Sequence, residues 1–293
     1  MTSNIDELNP DEVQALRAEL EYDNALLSAE GGAAVAGKTV LVALGDSWFK
    51  YPPGLDLIYW LEKQHNYRIE NFAQAGDTVE NMVYGTKYSK SNWRRLPPRM
   101  NAVEEMVQKL SPKGILLSAG GNDIAGDALD DYFNHASSGL PAQRTAFVDS
   151  IFDKVFFEAY CEFIDRVCNA VGTPPGSPGS PMVIGHGYAH AIPDGRGVVN
   201  FLGFHWFGPW LRPTFTRKGY DRLVVTAAFV KELIDRLYGM LDSVKKKFPQ
   251  NFDYVDFRPV VNRSDWVNEL HLTNSAYEKC ASHLAGLLQT HGI

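Results

Sequence analysis

Thr39 to Leu44 (TVLVAL) is apolar or β-branched at every position, without the polar alternation of a half-exposed strand. That pattern belongs to a strand covered on both faces, and a chain that buries one needs helices above and below its sheet. Further short strands at Tyr67–Phe72, Ile115–Ser118, Met182–Ile184 and Tyr254–Phe257 alternate with helix-period segments at Met100–Leu110, Ala146–Val171 and Tyr220–Phe248. Strands separated by helices require crossover connections, hence a parallel sheet. The expected fold class is α/β: one doubly wound, three-layer α/β/α sandwich.

Upstream, Asn9-Pro10-Asp11-Glu12 reads as a capped helix start, and Val13, Leu16, Leu20 and Leu27 form one apolar stripe after it. Gly31-Gly32 ends that helix, so residues 1–37 are expected to be an N-terminal helix and linker, and 38–293 the main domain. The proline-glycine stretch Thr173–Pro181 leads at once into the next strand and reads as a surface loop. A net charge of -7 argues against a general polyanion binder, so nucleic acid is not an expected partner. Cys161, Cys168 and Cys280 show no CxxC spacing and read as buried thiols. The opening MTSNIDELNPDE is acidic where a signal peptide is basic. No run approaches the ~20 apolar residues that cross a bilayer. A cytoplasmic protein without a membrane span is expected, with a homo-oligomer left open.

Loops at the carboxyl ends of parallel strands are where reactive groups converge. Here those ends carry Gly45-Asp46-Ser47-Trp48, Ala75-Gly76-Asp77-Thr78, Gly120-Gly121-Asn122-Asp123, Gly185-His186-Gly187-Tyr188 and Asn268-Glu269-Leu270-His271. Singly each is weak: Ser47 alone reads as a helix cap, Gly76 as a turn residue, Asn122 as an Asx-turn former and His271 as a surface or capping histidine. In this order and at these positions they suit acyl transfer. A serine hydroxyl needs a base, and the tetrahedral intermediate needs donors for its oxyanion. Ser47 and Gly76 offer backbone N–H groups, and Asn122 a side-chain amide. Asp46 and Asp123 read as structural acids that bond backbone.

This arrangement resembles the SGNH, or GDSL-type, hydrolase family from about Lys38 to Leu288. Its four sequence blocks match the GDS at Ser47, the glycine at Gly76, the GGND at Asn122 and the ELHLT around His271. The resemblance implies a flavodoxin-like parallel sheet, hydrolysis of carboxylic esters of lipid or acetyl type, a small-molecule ester as substrate, and no metal or organic cofactor. Two positions depart from the pattern. Trp48 stands where the family has leucine, and Asn268 stands where the family has the aspartate that orients the histidine. An amide accepts the imidazole N–H but brings no charge. Of the nearby acids, Asp265 is the expected substitute, ahead of Glu269, with a Ser47–His271 dyad helped by Asn268 as the alternative.

Trp48, Tyr188, Trp206 and Trp210 are the candidate substrate-binding residues. The last two lie in the proline-broken aromatic segment Phe201–Phe215, which reads either as a lid over the site or as extra core. After Gly76, Lys87, Lys90, Arg94, Arg95 and Arg99 interleave with Tyr84, Tyr88 and Trp93. That segment reads either as a receiver of an anionic head group or sugar, or as a solvated surface. His186 and His190 invite a metal reading, but the Asp-x-His and Gly-Asn-His motifs of metallophosphoesterases are missing. A non-catalytic binding protein on the same fold is the competing function.

Overall fold

A computed structural model describes residues 37–51, 55–199 and 205–293. The N-terminal helix expected within residues 1–37 lies, but for Gly37, outside the described residues.

Five strands, β1 (Thr39–Gly45), β2 (Tyr67–Asn71), β3 (Gly114–Ser118), β4 (Met182–His186) and β7 (Phe252–Val255), form one sheet in the order β2-β1-β3-β4-β7. Every pairing is parallel, with Val42 opposite Ile115 and Leu116 opposite Ile184. Leu41 to Leu44 and Ile115 to Leu117 are buried, as strands covered on both faces must be. The last strand is expected at Tyr254–Phe257 and begins instead at Phe252, because Val183 pairs with Phe252 and sets the register from there.

The order reverses between β1 and β3. From β1 the chain crosses to β2 through α1 (Leu57–Gln64); from β2 it returns past β1 to β3 through α2 (Val79–Tyr84) and α3 (Met100–Leu110). It then continues outward to β4 and β7 through α4 (Thr145–Ser150), α5 (Phe157–Ala170), α6 (Arg212–Arg217) and α7 (Leu223–Lys247). Because crossovers are right-handed, opposite directions of travel put α1 on one face and α3, α5 and α7 on the other. The C-terminal α8 (Asn274–Thr290) packs on α1 and completes its layer. This is the 2-1-3-4-5 order of flavodoxin-like sheets, whose ligands bind where the order reverses. The segment Ala146–Val171, expected as one helix, is α4 and α5 joined by a π-helical stretch at Ile151–Phe156. Strands β5 (Val198–Val199) and β6 (His205–Phe207) form a separate antiparallel pair.

Candidate active site

The loop after β1 is compressed against β3. A Cβ on Gly45 would stand 2.7 Å from Ser118 Cβ and 2.8 Å from the Phe49 ring, so only glycine fits there. The next residue, Asp46, is buried and holds the turn together. One carboxylate oxygen accepts the Trp48 N–H at 2.9 Å and the Ser118 hydroxyl at 2.8 Å, and the other accepts the Tyr188 hydroxyl. Burial pushes the Asp46 pKa up to about 6 against those bonds. Ser47 therefore sits on a turn fixed from both sides, directly above the point where the strand order reverses.

His271 arrives from the loop between β7 and α8. That loop closes on itself through a bridge between Trp266 and Leu272 and the Val267 N–H to His271 carbonyl bond, 2.9 Å. It is tied to the serine turn by the Trp48 indole N–H, which donates to the Leu270 carbonyl at 3.0 Å. His271 Nε2 lies 2.9 Å from Ser47 Oγ, and Nδ1 lies 3.0 Å from Asn268 Oδ1. The partners assign the tautomer. Asn268 Oδ1 also accepts the backbone N–H groups of Leu270 and His271, each at 2.9 Å, so it is an acceptor. Nδ1 then carries the proton, and the Nε2 lone pair faces the serine hydroxyl. Burial holds His271 far below its ordinary range, at about 3, so it is a neutral base at pH 7.

Asp265, expected from the sequence as the orienting carboxylate, does not bond the imidazole. Asp265 accepts the Asn262 N–H at 2.9 Å, closes a capping box on a single 3₁₀ turn, and faces Lys279 at 3.5 Å. Glu269, the second candidate, is fully buried and also points away. Its carboxylate accepts four backbone N–H groups, from Gly195, Trp210, Leu211 and Arg212 at 2.6–3.0 Å. Asn268 takes the position at the imidazole instead.

Across the switch point, Asp77 N–H donates to the Gln74 carbonyl at 3.2 Å, closing a turn in which Gly76 takes φ +75°. A left-handed third residue favours glycine there. Beyond its two chain neighbours, no residue comes within 4 Å of where a Gly76 Cβ would stand. Asn122, after β3, donates one amide hydrogen to the Asp77 carbonyl at 3.0 Å. Its neighbour Asp123 accepts the Val79 N–H with both oxygens at 3.1 and 3.2 Å. Burial raises Asp123 to about 7.

Beside Ser47 lies a cavity of about 30 Å³, walled by Asn122, Ile124, Ala191, Leu211, Ile234 and Leu270. Trp48 and Tyr188 also line it but are buried, Trp48 against His186 and Tyr188 on Asp46. Trp210 stands edge-on to the His271 ring at 5.5 Å, while Phe215 from the same aromatic segment is core. The Trp206 side chain lies outside what the structure describes. His186 is buried within an aromatic cluster, and His190 bonds Asp235 at 2.9 Å. Sequence reasoning missed Tyr51, which stacks on His271 at 4.1 Å and accepts the Asn268 side-chain N–H at 3.3 Å. No motif marks it; its place four residues beyond Ser47 is the sole signal.

No family model and no curated protein matches the sequence. Solved structures do match in shape. Est24, a carbohydrate acetylesterase from Sinorhizobium meliloti, is 13% identical with a TM-score of 0.50, over 86% of this chain and 99% of that one. The inhibitor-bound aryl esterase of M. smegmatis is 11% identical with a TM-score of 0.50, over 86% and 99%. The periplasmic domain of a lipopolysaccharide acetyltransferase from Salmonella ser. Paratyphi A is 11% identical with a TM-score of 0.50, over 90% and 89%. At such identities the likeness is one of fold: the chain has the three-layer, flavodoxin-like α/β/α architecture of these proteins. Among the described residues, no helix is long and apolar enough to cross a membrane.

Proposed function

We propose that the protein is a serine hydrolase of short-acyl carboxylic esters. The observation that carries this reading is the relay through one imidazole, with Ser47 Oγ at 2.9 Å from Nε2 and Asn268 Oδ1 at 3.0 Å from Nδ1. Ser47 gives its hydroxyl proton to Nε2 as Oγ attacks the carbonyl carbon. The oxyanion is met by the Ser47 and Gly76 N–H groups and by the second amide hydrogen of Asn122, whose first is held on Asp77. Collapse expels the alcohol, which takes the proton from Nε2, and leaves an acyl group on Ser47 Oγ. Water repeats the sequence with the same base and releases the acid.

The cavity beside Ser47, about 30 Å³, has room for about two water-sized groups. A space of that size suits an acetyl group better than a long chain. The test is a series of aryl esters of increasing acyl length. Acetate should be the best substrate, with kcat/KM falling at least about tenfold once the chain outgrows the cavity. Ser47→Ala should lose more than about 10⁴-fold. Activity of Ser47→Ala within a few-fold of wild type would overturn the reading. Asn268, which brings no charge to the imidazole, favours a second reading, a non-catalytic ester-binding protein. Saturable binding of an aryl acetate without turnover by the wild type would select it.

A further inference from the structure

The segment Tyr84–Arg99 carries five cations, Lys87, Lys90, Arg94, Arg95 and Arg99, and no acid, within a chain whose net charge is -7. It folds as a hairpin. Tyr88 and Arg95 bridge, Leu96 N–H donates to the Lys87 carbonyl at 2.8 Å, and Ser89 N–H donates to the Arg94 carbonyl at 2.8 Å. Every residue from Thr86 to Pro97 is exposed except Ser89, which is intermediate. At the tip Trp93 is 76% exposed and stacks on Tyr88 at 5.0 Å, with Tyr84 and Leu96 also open to solvent.

Trp93 also has φ 57°, a left-handed backbone that a bulky side chain adopts only at a cost and that glycine takes freely. The fold does not need an indole there, and the ring buries little of itself against the protein. The hairpin's base is nevertheless firmly held. Lys87 and Arg99, one on each arm, both lie 3.4 Å from the buried carboxylate of Asp77, the residue whose carbonyl receives Asn122. The base of the hairpin is thereby tied to the loop that carries Gly76.

We infer that this hairpin docks the protein on an anionic membrane surface. Trp and Tyr rings lodge at the headgroup level of a bilayer, and cations beside them are drawn to its negative potential. Leu96 suits acyl chains and offers nothing to a sugar or a nucleotide. Three of the neutral polar side chains that a saccharide would use are engaged locally, since Ser89 and Ser91 bond each other at 2.8 Å and Asn92 Oδ1 accepts the Arg94 N–H at 3.0 Å. Docking does not depend on the ester-hydrolase reading and is tested without activity.

The experiment is sedimentation of the full chain with phosphatidylcholine vesicles, and with vesicles of equimolar phosphatidylglycerol and phosphatidylcholine, alongside tryptophan emission. Binding should be confined to the anionic vesicles, weaken with salt, and shift the emission to the blue. Trp93→Gly relieves the backbone cost, so its melting temperature should hold or rise while the blue shift disappears and binding drops. The double variant Arg94→Glu/Arg95→Glu should bind at least about 20-fold more weakly, given about fivefold per basic residue near the surface. Equal binding to both vesicle types, or unchanged binding by the two variants, overturns the proposal. So does capture by a soluble sulfated polysaccharide without any binding to vesicles.

Discussion

Asn268 decides how good a base His271 is. An amide in the place of a carboxylate usually fails by presenting its NH₂ to the imidazole and imposing the wrong tautomer. Here two backbone N–H groups pin Oδ1, and Tyr51 receives the amide hydrogen at 3.3 Å, so the tautomer is right and only the charge is missing. Asn268→Ala should therefore lower kcat by about 10²-fold or more, by analogy with the loss of other buried hydrogen-bonding groups in the transition state. Asn268→Asp should retain activity and move the acid limb of the kcat/KM profile upward by about 1 pH unit or more, because a nearby anion favours the imidazolium. In the wild type, burial puts His271 at about 3. Its acid limb should accordingly lie far below about 6.5, the ordinary histidine value. A wild-type limb near that ordinary value would show that water reaches the ring. Ser47 and His271 were legible as motif residues, and so was the doubt over Asn268. That Asp265 faces away was not legible, because it depends on the loop folding back through the Trp266–Leu272 bridge.

The loop from Arg263 to Thr273 is built by its own acids, and the two that sequence reasoning offered as triad members turn out to differ in what they hold. Asp265→Asn disturbs one capping box and an ion pair with an exposed lysine, so it should cost about 1 kcal/mol of stability and leave kcat/KM unchanged. Glu269→Gln should be the more damaging change. An amide replaces one carboxylate oxygen, so two of the four backbone donors would face NH₂, at about 1–3 kcal/mol each. Since those donors include Trp210, whose ring stands against His271, activity should fall along with the melting temperature. Thermal melts and kinetics on the two variants check both statements, and equal melting temperatures would contradict them. The ends of β1 and β3 were legible from the sequence because a glycine soon follows each apolar run, whereas β7 was read two residues late, its register being set by Val183 opposite Phe252. The π-helical stretch at Ile151–Phe156 was not, since its apolar spacing does not differ enough from a helix to be read.

At the scale of the molecule, the alternation of buried strands and helices was enough to read the sheet, its parallel sense and its two helical layers. The switch point then dictates that the loops after β1, β2 and β3 meet, and the motifs at Ser47, Gly76 and Asn122 lie on those loops. What the pattern did not carry is the polar interior behind the serine. His186, stacked on Trp48 with burial pushing its pKa down to about 4, is neutral in the folded chain at pH 7. The unfolded chain binds that proton near pH 6.5, so the stability His186 contributes is complete above about 6.5 and is lost as pH falls towards about 4. The stability advantage of wild type over His186→Phe, or its deficit, should shift against wild type on acidification, as urea midpoints would record. Whether Ser47 is a nucleophile driven by His271 is read out by mass spectrometry after exposure to a fluorophosphonate. A single phosphonyl adduct on Ser47 is expected in wild type, slowed severely in His271→Ala and absent from a folded Ser47→Ala. A folded wild type that takes no label, or takes it on another residue, would contradict it.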